Sequence, residues 1–411
     1  LFRWMEHHDP VTYRRILAQD ACNVQRYGVG NAMAQAYNHT ILPLAARRDK
    51  ITQVAWGLAA FEHRFGRKAQ GIWLPETAAD LETLQILADQ GVEFTILAPW
   101  QADVNDVDPA RPYWVRLPDG GRMAVFIYHA SLSSGVSFDQ RLTSNAHEFA
   151  LKNVANYFQE EQAADGIPQM LMVASDGELY GHHQSFRDWF LAYLVNGAGA
   201  RAGVQLTYPA LWLREHPPQT EIGLREGTSW SCHHGVARWS EGCDCTPGDW
   251  SWKSPLRRAL DELGDALDEL YDQNTRALGL DPWALRDVYI HVMLDALDVA
   301  ELITTVGRQT PDVGHLNSEE IKRLAILLEA QRHRQEMYTS CGWFFGELER
   351  IEPRNNLAHA AQAVRLTRQA TGQDLSLQAQ TALRNVVGAS GLRGDEIFAA
   401  FLARTLAERA G

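Results

Sequence analysis

The chain has 411 residues, of which 45% are hydrophobic and 22% charged, and its formal net charge is −13 at neutral pH. These proportions are typical of a globular protein with two or three domains, and they exclude a disordered or fibrous chain. The negative charge argues against nucleic acid or an anionic membrane as a main partner, and the sequence contains no run of about 18 apolar residues that would predict a membrane-spanning helix.

The N-terminal sequence is LFRWMEHHDP, which has neither an initiator Met nor a signal-peptide pattern. Leu1, Trp4 and Met5 resemble the middle of an apolar segment that is already under way. We therefore expect the natural N-terminus, with any targeting signal, to lie upstream of Leu1.

Up to about residue 215, short apolar runs alternate with amphipathic stretches. The predicted strands are 71–75, 92–98 and 170–174, the predicted hairpin is 114–128, and the predicted helices are 77–91, 152–162 and 184–195. In the last of these helices, Phe186, Phe190 and Leu194 are expected on one face. The alternation favours a parallel α/β architecture, a barrel or an open sheet, in which ligands bind at the carboxyl ends of strands.

Beyond residue 255 the hydrophobic period becomes 3.6 residues, which predicts an α-helical domain. The first helix, within 256–278, carries a stripe of leucines opposite acidic side chains. Further helices are predicted at 284–305, 318–338, 356–371, 376–387 and 394–409. We expect the charged side chains of this half to lie on solvated faces, as we do for Asp49 and Lys50 in the preceding half.

Two carboxylates follow predicted strands directly. Glu76 comes after Pro75, and Asp176 is followed by Gly177 and Gly181, which allow a sharp turn. Such a pair suits double-displacement glycoside hydrolysis, in which one carboxylate attacks the anomeric carbon while the other protonates the leaving oxygen and then activates water. The alternative is that each acid caps a helix or lies in its first turn. The pairing, with aromatic residues and histidines nearby, favours the catalytic interpretation.

Three segments resemble signature motifs of glycoside hydrolase family 57, namely YNHTILPL (37–44), GIWLPE (71–76) and SDGELYG (175–181). The resemblance extends over most of residues 1–215. It implies an incomplete (β/α)7 barrel that acts with retention on α-linked glucans or related α-glycosides, by hydrolysis or by transfer. It further implies that Glu76 is the nucleophile, that Asp176 is the general acid/base, and that His39 binds substrate near the nucleophile.

The later part of the chain resembles a subgroup of the same family. The segment SWSCHHGVARW (229–239) and the helices after it are similar to members that carry a C-terminal helical domain of unknown function. The predicted organisation is therefore an N-terminally truncated catalytic barrel at 1–215, an irregular Trp- and Cys-rich connector at 216–255, and the helical domain at 256–411.

The chain departs from the family pattern at two places. The opening motif, a histidine-containing strand end near the N-terminus, has no counterpart, and we expect it among the missing residues. Many starch-active members also have Trp seven residues after the acid/base, where this chain has His183. The second departure bears on which sugar is bound and leaves the predicted chemistry unchanged.

Further substrate-binding candidates surround the two motifs: Trp73, Glu178, His182, His183 and Trp230. Indole rings stack on the apolar faces of sugars, so Trp230 and Trp239 in the irregular connector are candidate platforms. For Trp73, core packing is the stronger interpretation and sugar stacking the second. Glu178 could bind sugar hydroxyls, raise the pKa of Asp176 by like-charge repulsion, or be a surface residue. One of the two histidines could instead cap the helix that follows.

The chain has five cysteines, of which Cys232, Cys243 and Cys245 lie close together beside His233 and His234. The spacing C-x10-C-x-C lacks the C-x2-C pairs of a structural zinc site and favours buried thiols or one disulfide. We therefore predict no metal and no cofactor. Cysteines that are few and odd in number also favour a reducing, cytoplasmic compartment.

Two other functions compete with the glycosidase. A metal-dependent polysaccharide deacetylase would use Asp176, His182 and His183 as ligands, although the spaced histidine pair of such enzymes is not visible. A sugar-binding protein without turnover would keep the aromatic residues and lack the chemistry. All three hypotheses have an oligo- or polysaccharide as the partner.

Overall fold

A computed structural model describes residues 1–158, 166, 168–309 and 316–407. The chain forms two compact units, each assembled from separate segments. We call the first the sheet unit; it comprises Leu1–Ala34, Ala69–Trp73 and Asp80–Glu226. The second, the helical unit, comprises Gln35–Lys68, Leu74–Ala79 and Gly227–Gly411.

One mixed sheet carries the strands, in the order β1-β2-β3-β5-β4-β6. The strands are β1 (Ala34–Gln35), β2 (Gly71–Trp73), β3 (Phe94–Leu97), β4 (Tyr113–Arg116), β5 (Arg122–Ile127) and β6 (Glu221–Ile222). β2 pairs parallel with β3, β3 with β5, and β4 with β6, while β4 and β5 pair antiparallel. All four residues of β3 are buried, so apolar side chains cover both faces of this strand.

The α-helices are, in chain order, α1 (Phe2–His8), α2 (Pro10–Tyr27), α3 (Arg47–Phe65), α4 (Leu81–Asp89), α5 (Ala130–Phe138), α6 (Ala146–Phe149), α7 (Arg187–Tyr193), α8 (Gly199–Arg201), α9 (Pro209–Glu215), α10 (Lys253–Arg276), α11 (Pro282–Val288), α12 (Ile290–Met293), α13 (Val299–Gln309), α14 (Ser318–Glu336), α15 (Cys341–Phe344), α16 (Ile351–Thr371), α17 (Ser376–Leu383) and α18 (Gly394–Ala407). None of the helices in the described ranges combines the length and the apolar composition needed to cross a bilayer.

The predicted hairpin is confirmed as β4 and β5, with Trp114 opposite Ala124. Its turn requires a positive φ, which Gly120 supplies at 87°. The Asp119 side chain accepts a hydrogen bond from the Gly121 amide at 2.7 Å and closes the turn. The predicted strands 71–75 and 92–98 are confirmed as the shorter β2 and β3, whereas the two-residue β6 was not predicted.

The predicted strand 170–174 is wrong, because these residues form no regular strand. Their backbone groups bond to loops and to a side chain. The Met170 amide donates to the Ala110 carbonyl, the His129 amide donates to the Met172 carbonyl, and the Ala174 amide donates to the Ser133 hydroxyl. These partners belong to no common strand, so a short apolar run is not enough to make a ladder.

Two predicted helices near this segment differ from the structure. The helix predicted at 184–195 begins only at Arg187, because Phe186 has a left-handed φ of 65°. Phe186 is also 74% exposed. Phe190 is buried and packs on Phe149 with ring centroids 5.4 Å apart, so the expected apolar face lacks Phe186. In place of the first part of the predicted helix 152–162, the structure has a π-helical turn that ends at Val154 and a 3₁₀ turn that ends at Tyr157. Residues 159–162 lie outside the described residues.

The helical unit confirms the leucine stripe, since the five leucines on one side of α10 are all buried: Leu256, Leu260, Leu263, Leu267 and Leu270. The predicted helix 284–305 is instead divided into α11, α12 and α13. Asp281 caps α11 through its carboxylate, and Asp295, with φ 55°, interrupts the chain between α12 and α13. The predicted helix 394–409 is observed as α18, and residues 408 and 409 lie outside the described residues.

The expectation that charged residues lie on solvated faces is wrong for a group inside the helical unit. Asp49 and Lys50 are only 4% and 2% exposed. Arg334 contacts the Asp49 carboxylate at 2.6 Å and Arg286 contacts it at 2.9 Å. Arg334 also reaches Asp268, at 2.8 Å. The network joins α3 to α10, α11 and α14, so its charges are structural and not solvated.

The arginines determine the ionisation of Asp49. Burial alone would raise the pKa of this carboxyl, but Arg334 and Arg286, with a hydrogen bond from Gln335, outweigh burial and lower the pKa to about 2. A carboxylate with a lowered pKa stabilises the folded state above its unfolded pKa of about 3.9, and this contribution is lost as the pH falls through the folded pKa.

We predict that Asp49→Asn destabilises the protein by about 3 kcal/mol or more, because two buried guanidinium groups lose a counter-charge. The matched control is Asp265→Asn, since Asp265 is 82% exposed and its nearest Arg48 nitrogen is 4.0 Å away. The control should change the free energy of unfolding by less than about 0.5 kcal/mol. Urea denaturation followed by circular dichroism measures both variants. Equal effects of the two substitutions would contradict the structural role of the network.

The same variant has a defined pH dependence. The stability difference between the wild type and Asp49→Asn should be constant above about pH 4 and should shrink as the pH falls from about 4 towards 2, where wild-type Asp49 becomes protonated. Urea midpoints of both proteins at pH 7 and at pH 3 measure it. A difference that does not decrease at pH 3 would contradict a lowered pKa of Asp49 in the folded protein.

Candidate functional site

Glu76 lies in a 3₁₀ turn, Pro75–Thr77, directly after β2. Its φ is 57° and that of Thr77 is 49°, in the left-handed region that non-glycine residues rarely adopt. Such conformations persist only where the surrounding structure enforces them, and they cluster at functional sites.

A backbone ladder within the helical unit holds this turn. The Trp230 amide donates to the Glu76 carbonyl at 3.0 Å, and the Ala79 amide donates to the Thr228 carbonyl at 3.1 Å. The Gly227 amide completes the pairing with the Ala79 carbonyl at 2.9 Å. Residues 76–79 and 227–230 therefore run antiparallel beside each other, although some 150 residues separate them in the chain.

Two neutral donors bind the Glu76 carboxylate. The Trp230 indole Nε1 donates to Oε2 at 2.8 Å, and the Ser231 hydroxyl donates to the same oxygen at 2.7 Å. Within the described residues of this unit, Oε1 accepts no hydrogen bond. One carboxylate oxygen is thus held in place while the other remains available for chemistry.

Ser231 was not a candidate in the sequence, and only its place beside Trp230 could have indicated it. Trp230 itself was predicted to bind substrate, and the structure places its indole on Glu76. Trp239, the other candidate platform, is fully buried in the core of the helical unit, so that interpretation is wrong.

His39 is in the same unit as Glu76 and also has a left-handed backbone, with φ 54°. Its Nδ1 lies 2.7 Å from the Ser340 hydroxyl, and the Ser340 amide donates to the His39 carbonyl at 3.0 Å. Ser340 is buried, so these contacts fix both the backbone and the ring of His39.

Asp176 lies in the sheet unit, where it is exposed and precedes the 3₁₀ turn Gly177–Leu179. Its side chain makes no capping hydrogen bond to that turn. The capping alternative therefore gains no support here, nor at Glu76, whose carboxylate binds Trp230 and Ser231. Trp73, the last residue of β2, is half-buried, which is compatible with core packing and with partial access to a ligand.

The other candidates in the sheet unit form one exposed group. The Glu178 carboxylate lies 3.2 Å from His183 Nε2 and 3.8 Å from His182 Nδ1, and the two imidazoles stack with centroids 4.7 Å apart. The Glu178 side chain is 70% exposed, so these ion pairs contribute little to stability. Asp176 is not among these converging ligand atoms, which removes support from the deacetylase interpretation.

Three groups of side chains in the described residues bring potential metal ligands within 4.8 Å of one another. One is the exposed group of Glu178, His182 and His183. The other two lie in the helical unit; they are His333, Glu336 and His359, and Cys232, His234, Cys243 and Cys245. In the His333 group, burial opposes ionisation of Glu336, but hydrogen bonds from His333 and His359 lower the pKa of its carboxyl well below the usual range.

Two family models match two successive parts of the chain. Residues 22–225 match the model of glycosyl hydrolase family 57, and residues 249–405 match a domain of unknown function, DUF3536. A curated relative, the 1,4-alpha-glucan branching enzyme TK1436 of Thermococcus kodakarensis, is 43% identical over 56 residues. That match covers 13% of this chain and 8% of the relative, so the chain spans less than a tenth of that enzyme's length in the match.

Solved structures show the fold over nearly the whole chain. An exo-type maltose-forming amylase from Pyrococcus sp. ST04 has a TM-score of 0.73 at 14% identity, and the match covers 98% of this chain and 74% of that one. The TK1436 branching enzyme has a TM-score of 0.61 at 17% identity over 92% of this chain and 74% of its own. A 4-alpha-glucanotransferase from Thermococcus litoralis has a TM-score of 0.52 at 14% identity, covering 88% of this chain and 51% of that one.

These likenesses confirm the predicted α/β fold class with a helical C-terminal region. The family match includes the turn that carries Glu76 and the segment that carries Asp176, and the second match includes α10 to α17 and most of α18. Residues 22–225 of this chain therefore belong to glycosyl hydrolase family 57, and a helical domain of unknown function follows them.

Proposed function

We propose that this protein is a retaining glycoside hydrolase or transglycosylase that acts on α-linked glucans or related α-glycosides. Glu76 is the nucleophile and Asp176 the general acid/base. The observation that supports this most strongly is the Glu76 turn, in which a left-handed backbone and two side-chain donors hold one carboxylate oxygen. The structural relatives named above include an amylase, a branching enzyme and a glucanotransferase, which favours α-glucans as the substrate class.

In the first step, a Glu76 oxygen attacks the anomeric carbon and the bond to the leaving oxygen breaks. Asp176 gives its proton to that oxygen, so the first sugar leaves as a neutral alcohol. The Trp230 and Ser231 donors keep the Glu76 carboxylate in one orientation, which reduces the entropy lost on reaching the transition state. They donate to Oε2, so Oε1 is the attacking atom.

In the second step, the Asp176 carboxylate takes a proton from water or from a sugar hydroxyl, which then displaces Glu76 from the anomeric carbon. Water gives hydrolysis and a sugar hydroxyl gives transfer. Asp176 is exposed, so solvent reaches it and both acceptors are chemically available.

Substrate recognition falls to the remaining candidates. We assign His39 to a sugar hydroxyl near the nucleophile, and Trp73 and Trp230 to stacking on sugar faces. The exposed group of Glu178, His182 and His183 has hydrogen-bonding atoms and stacked rings on the surface, which suits binding of sugar units farther along the chain.

We also propose the domain roles expected from the sequence. Residues 1–215 carry both catalytic carboxylates, residues 216–255 supply the Trp230 and Ser231 donors, and residues 256–411 form the helical domain. We further propose a reducing, cytoplasmic compartment, which is consistent with five cysteines that are not joined in disulfides.

The alanine variants of the two carboxylates are predicted to differ in activity and in the configuration of the product formed with azide. Glu76→Ala forms no glycosyl-enzyme, so activity should be lost with every substrate, and azide should enter from the vacated face and give a glycosyl azide of inverted configuration. Asp176→Ala should still glycosylate Glu76 from a substrate with a good leaving group, and azide should give the retained configuration. The anomeric configuration of the azide product, read by NMR, measures this.

The control for this experiment is Asp188→Ala, an exposed acid in the first turn of α7, which should leave activity unchanged. With natural substrates, Asp176→Ala should lose about 10²–10⁴-fold in rate, and far less with activated ones. Reversed configurations would exchange the two roles. Unchanged turnover in both alanine variants, or glucan binding without any turnover in the wild type, would overturn the catalytic assignment.

Ser231 gives a separate test of the Glu76 environment. Ser231→Ala removes one of two hydrogen bonds that orient the carboxylate, and misplacement of a reacting group by about 1 Å can cost about 10²-fold, so glycosylation should slow by about 10- to 100-fold. Ser240→Ala is the matched control, because the Ser240 hydroxyl makes only a 3.5 Å contact with the Val236 carbonyl. Single-turnover kinetics measures the step. Equal rates for the two variants would contradict a role of Ser231 in holding Glu76.

A further inference from the structure

Three thiols and one imidazole converge in the helical unit. The Sγ atoms of Cys232 and Cys243 are 3.5 Å apart, and Cys245 Sγ is 3.4 Å from His234 Nδ1. All four ligand atoms lie within 4.8 Å of one another. Cys232 and Cys243 are buried, and none of the four takes part in the proposed glycosidase chemistry.

These distances fit a tetrahedral metal site. Zn²⁺ binds thiolate sulfur at about 2.3 Å and imidazole nitrogen at about 2.0–2.1 Å. A tetrahedron with those bond lengths has edges of about 3.8 Å between two sulfurs and about 3.5 Å between sulfur and nitrogen. The observed 3.5 Å and 3.4 Å are close to these edges, so only small movements would complete the coordination.

We propose that Cys232, His234, Cys243 and Cys245 bind one Zn²⁺ in a closed, structural site. Thiolate and imidazole ligands favour zinc over magnesium or calcium, which prefer oxygen. Four protein ligands leave no open position for water, which distinguishes a structural from a catalytic zinc. The ligands occur in the chain as two short pairs, C-x-H and C-x-C.

The loop between the two pairs already has the conformation that this site needs. Gly235, with φ 73°, approaches the backbone so closely that a Cβ there would lie 2.4 Å from the Gly227 carbonyl oxygen. Gly242, with φ 83°, turns the chain back towards Cys243. Between them, the fully buried Trp239 anchors the loop in the core. The ligand pairs are therefore brought together by packing before any metal binds.

The surroundings also suit the charge of the site. Three thiolates, one neutral imidazole and Zn²⁺ carry a net charge of −1. The Arg238 guanidinium donates to the carbonyls of Ser231 and Cys245, and the buried Lys253 ammonium bonds to the Arg238 carbonyl and the Thr246 hydroxyl. Arg238 lies in the ligand loop and Lys253 is the first residue of α10, so two cations accompany the negatively charged, half-buried site, and Arg238 ties the two ends of the loop together.

The zinc site would also help to position the Glu76 carboxylate, an inference that rests on the proposed function. Cys232 directly follows Trp230 and Ser231, the two residues that donate to the Glu76 carboxylate. Arg238 additionally holds the Ser231 carbonyl at 2.8 Å. A metal that fixes Cys232 therefore fixes the donors of Glu76, which makes the zinc a support of the catalytic geometry without contact with substrate.

The test begins with the full chain, purified under reducing conditions and analysed for metal by mass spectrometry. We expect one Zn²⁺ per chain. Replacement with Co²⁺ should give the intense visible d–d bands and the thiolate-to-cobalt charge-transfer band of a tetrahedral site with three sulfurs. Both measurements use the wild type, so neither depends on whether a variant folds and neither requires glycosidase activity.

Variants then identify the ligands. Zinc content should fall to a small fraction of one equivalent in Cys232→Ser, Cys243→Ser and Cys245→Ser, and the cobalt spectrum should weaken and shift in His234→Ala. The matched controls are Cys22→Ser and Cys341→Ser, which change exposed thiols, and His233→Ala, which changes the neighbouring histidine. All three controls should retain one equivalent.

Four outcomes would overturn the site: wild-type protein without stoichiometric zinc and without the cobalt bands; a Cys232–Cys243 disulfide in freshly prepared protein; full zinc content in the Cys243 or Cys245 variant; or zinc lost equally from the Cys341 control.

The coupling between the zinc site and Glu76 is measured separately. Zinc removal by a chelator should slow glycosylation of Glu76 by an activated substrate, and an unchanged rate at full zinc loss would refute the coupling while leaving the site intact.

Discussion

The interaction on which the candidate site depends is the antiparallel pairing of residues 76–79 with residues 227–230. It holds a backbone turn that a glutamate does not adopt by itself, and it places the Trp230 and Ser231 donors on the carboxylate. Without this pairing, Glu76 would be an ordinary acid after a short strand. The donors of this proposed nucleophile thus come from a segment that lies outside the family-57 match, which ends at residue 225.

A second constraint acts inside the helical unit, where α3 is joined to the C-terminal helices by buried charges and not only by apolar packing. Asp49 and Asp268 share the Arg334 guanidinium, and Arg286 is fully buried beside them. Such a network tolerates little rearrangement, because any shift would leave a buried charge without its ion-pair partner. The chain segment that contains His39 precedes α3, so the network also restricts where that histidine can lie.

The Trp- and Cys-rich stretch between the two family matches is more than a connector. One short loop contains the donors of Glu76, the four converging metal ligands and the buried Trp239. Trp343 of the helical domain and Trp252, which directly precedes α10, share one buried cluster with Trp239, Cys232 and Cys243 of this loop. The packing of the helices and the position of the Glu76 carboxylate are therefore linked physically within one unit.

The sequence by itself determined the features that local pattern encodes: the leucine stripe of α10, the hairpin at its glycine turn, strand β2 and the motif that ends in Glu76. The tertiary structure decided the rest. The burial of Asp49, the irregular course of residues 170–174, the Ser231 donor and the convergence of His234 with three cysteines were not predicted. For Ser231 and Asp49 the physical reason is distance along the chain, since Ser231 is 155 residues from Glu76 and Arg334 is 285 from Asp49. Hydrophobic periodicity reports which face of an element is buried, but not which distant polar group meets it there.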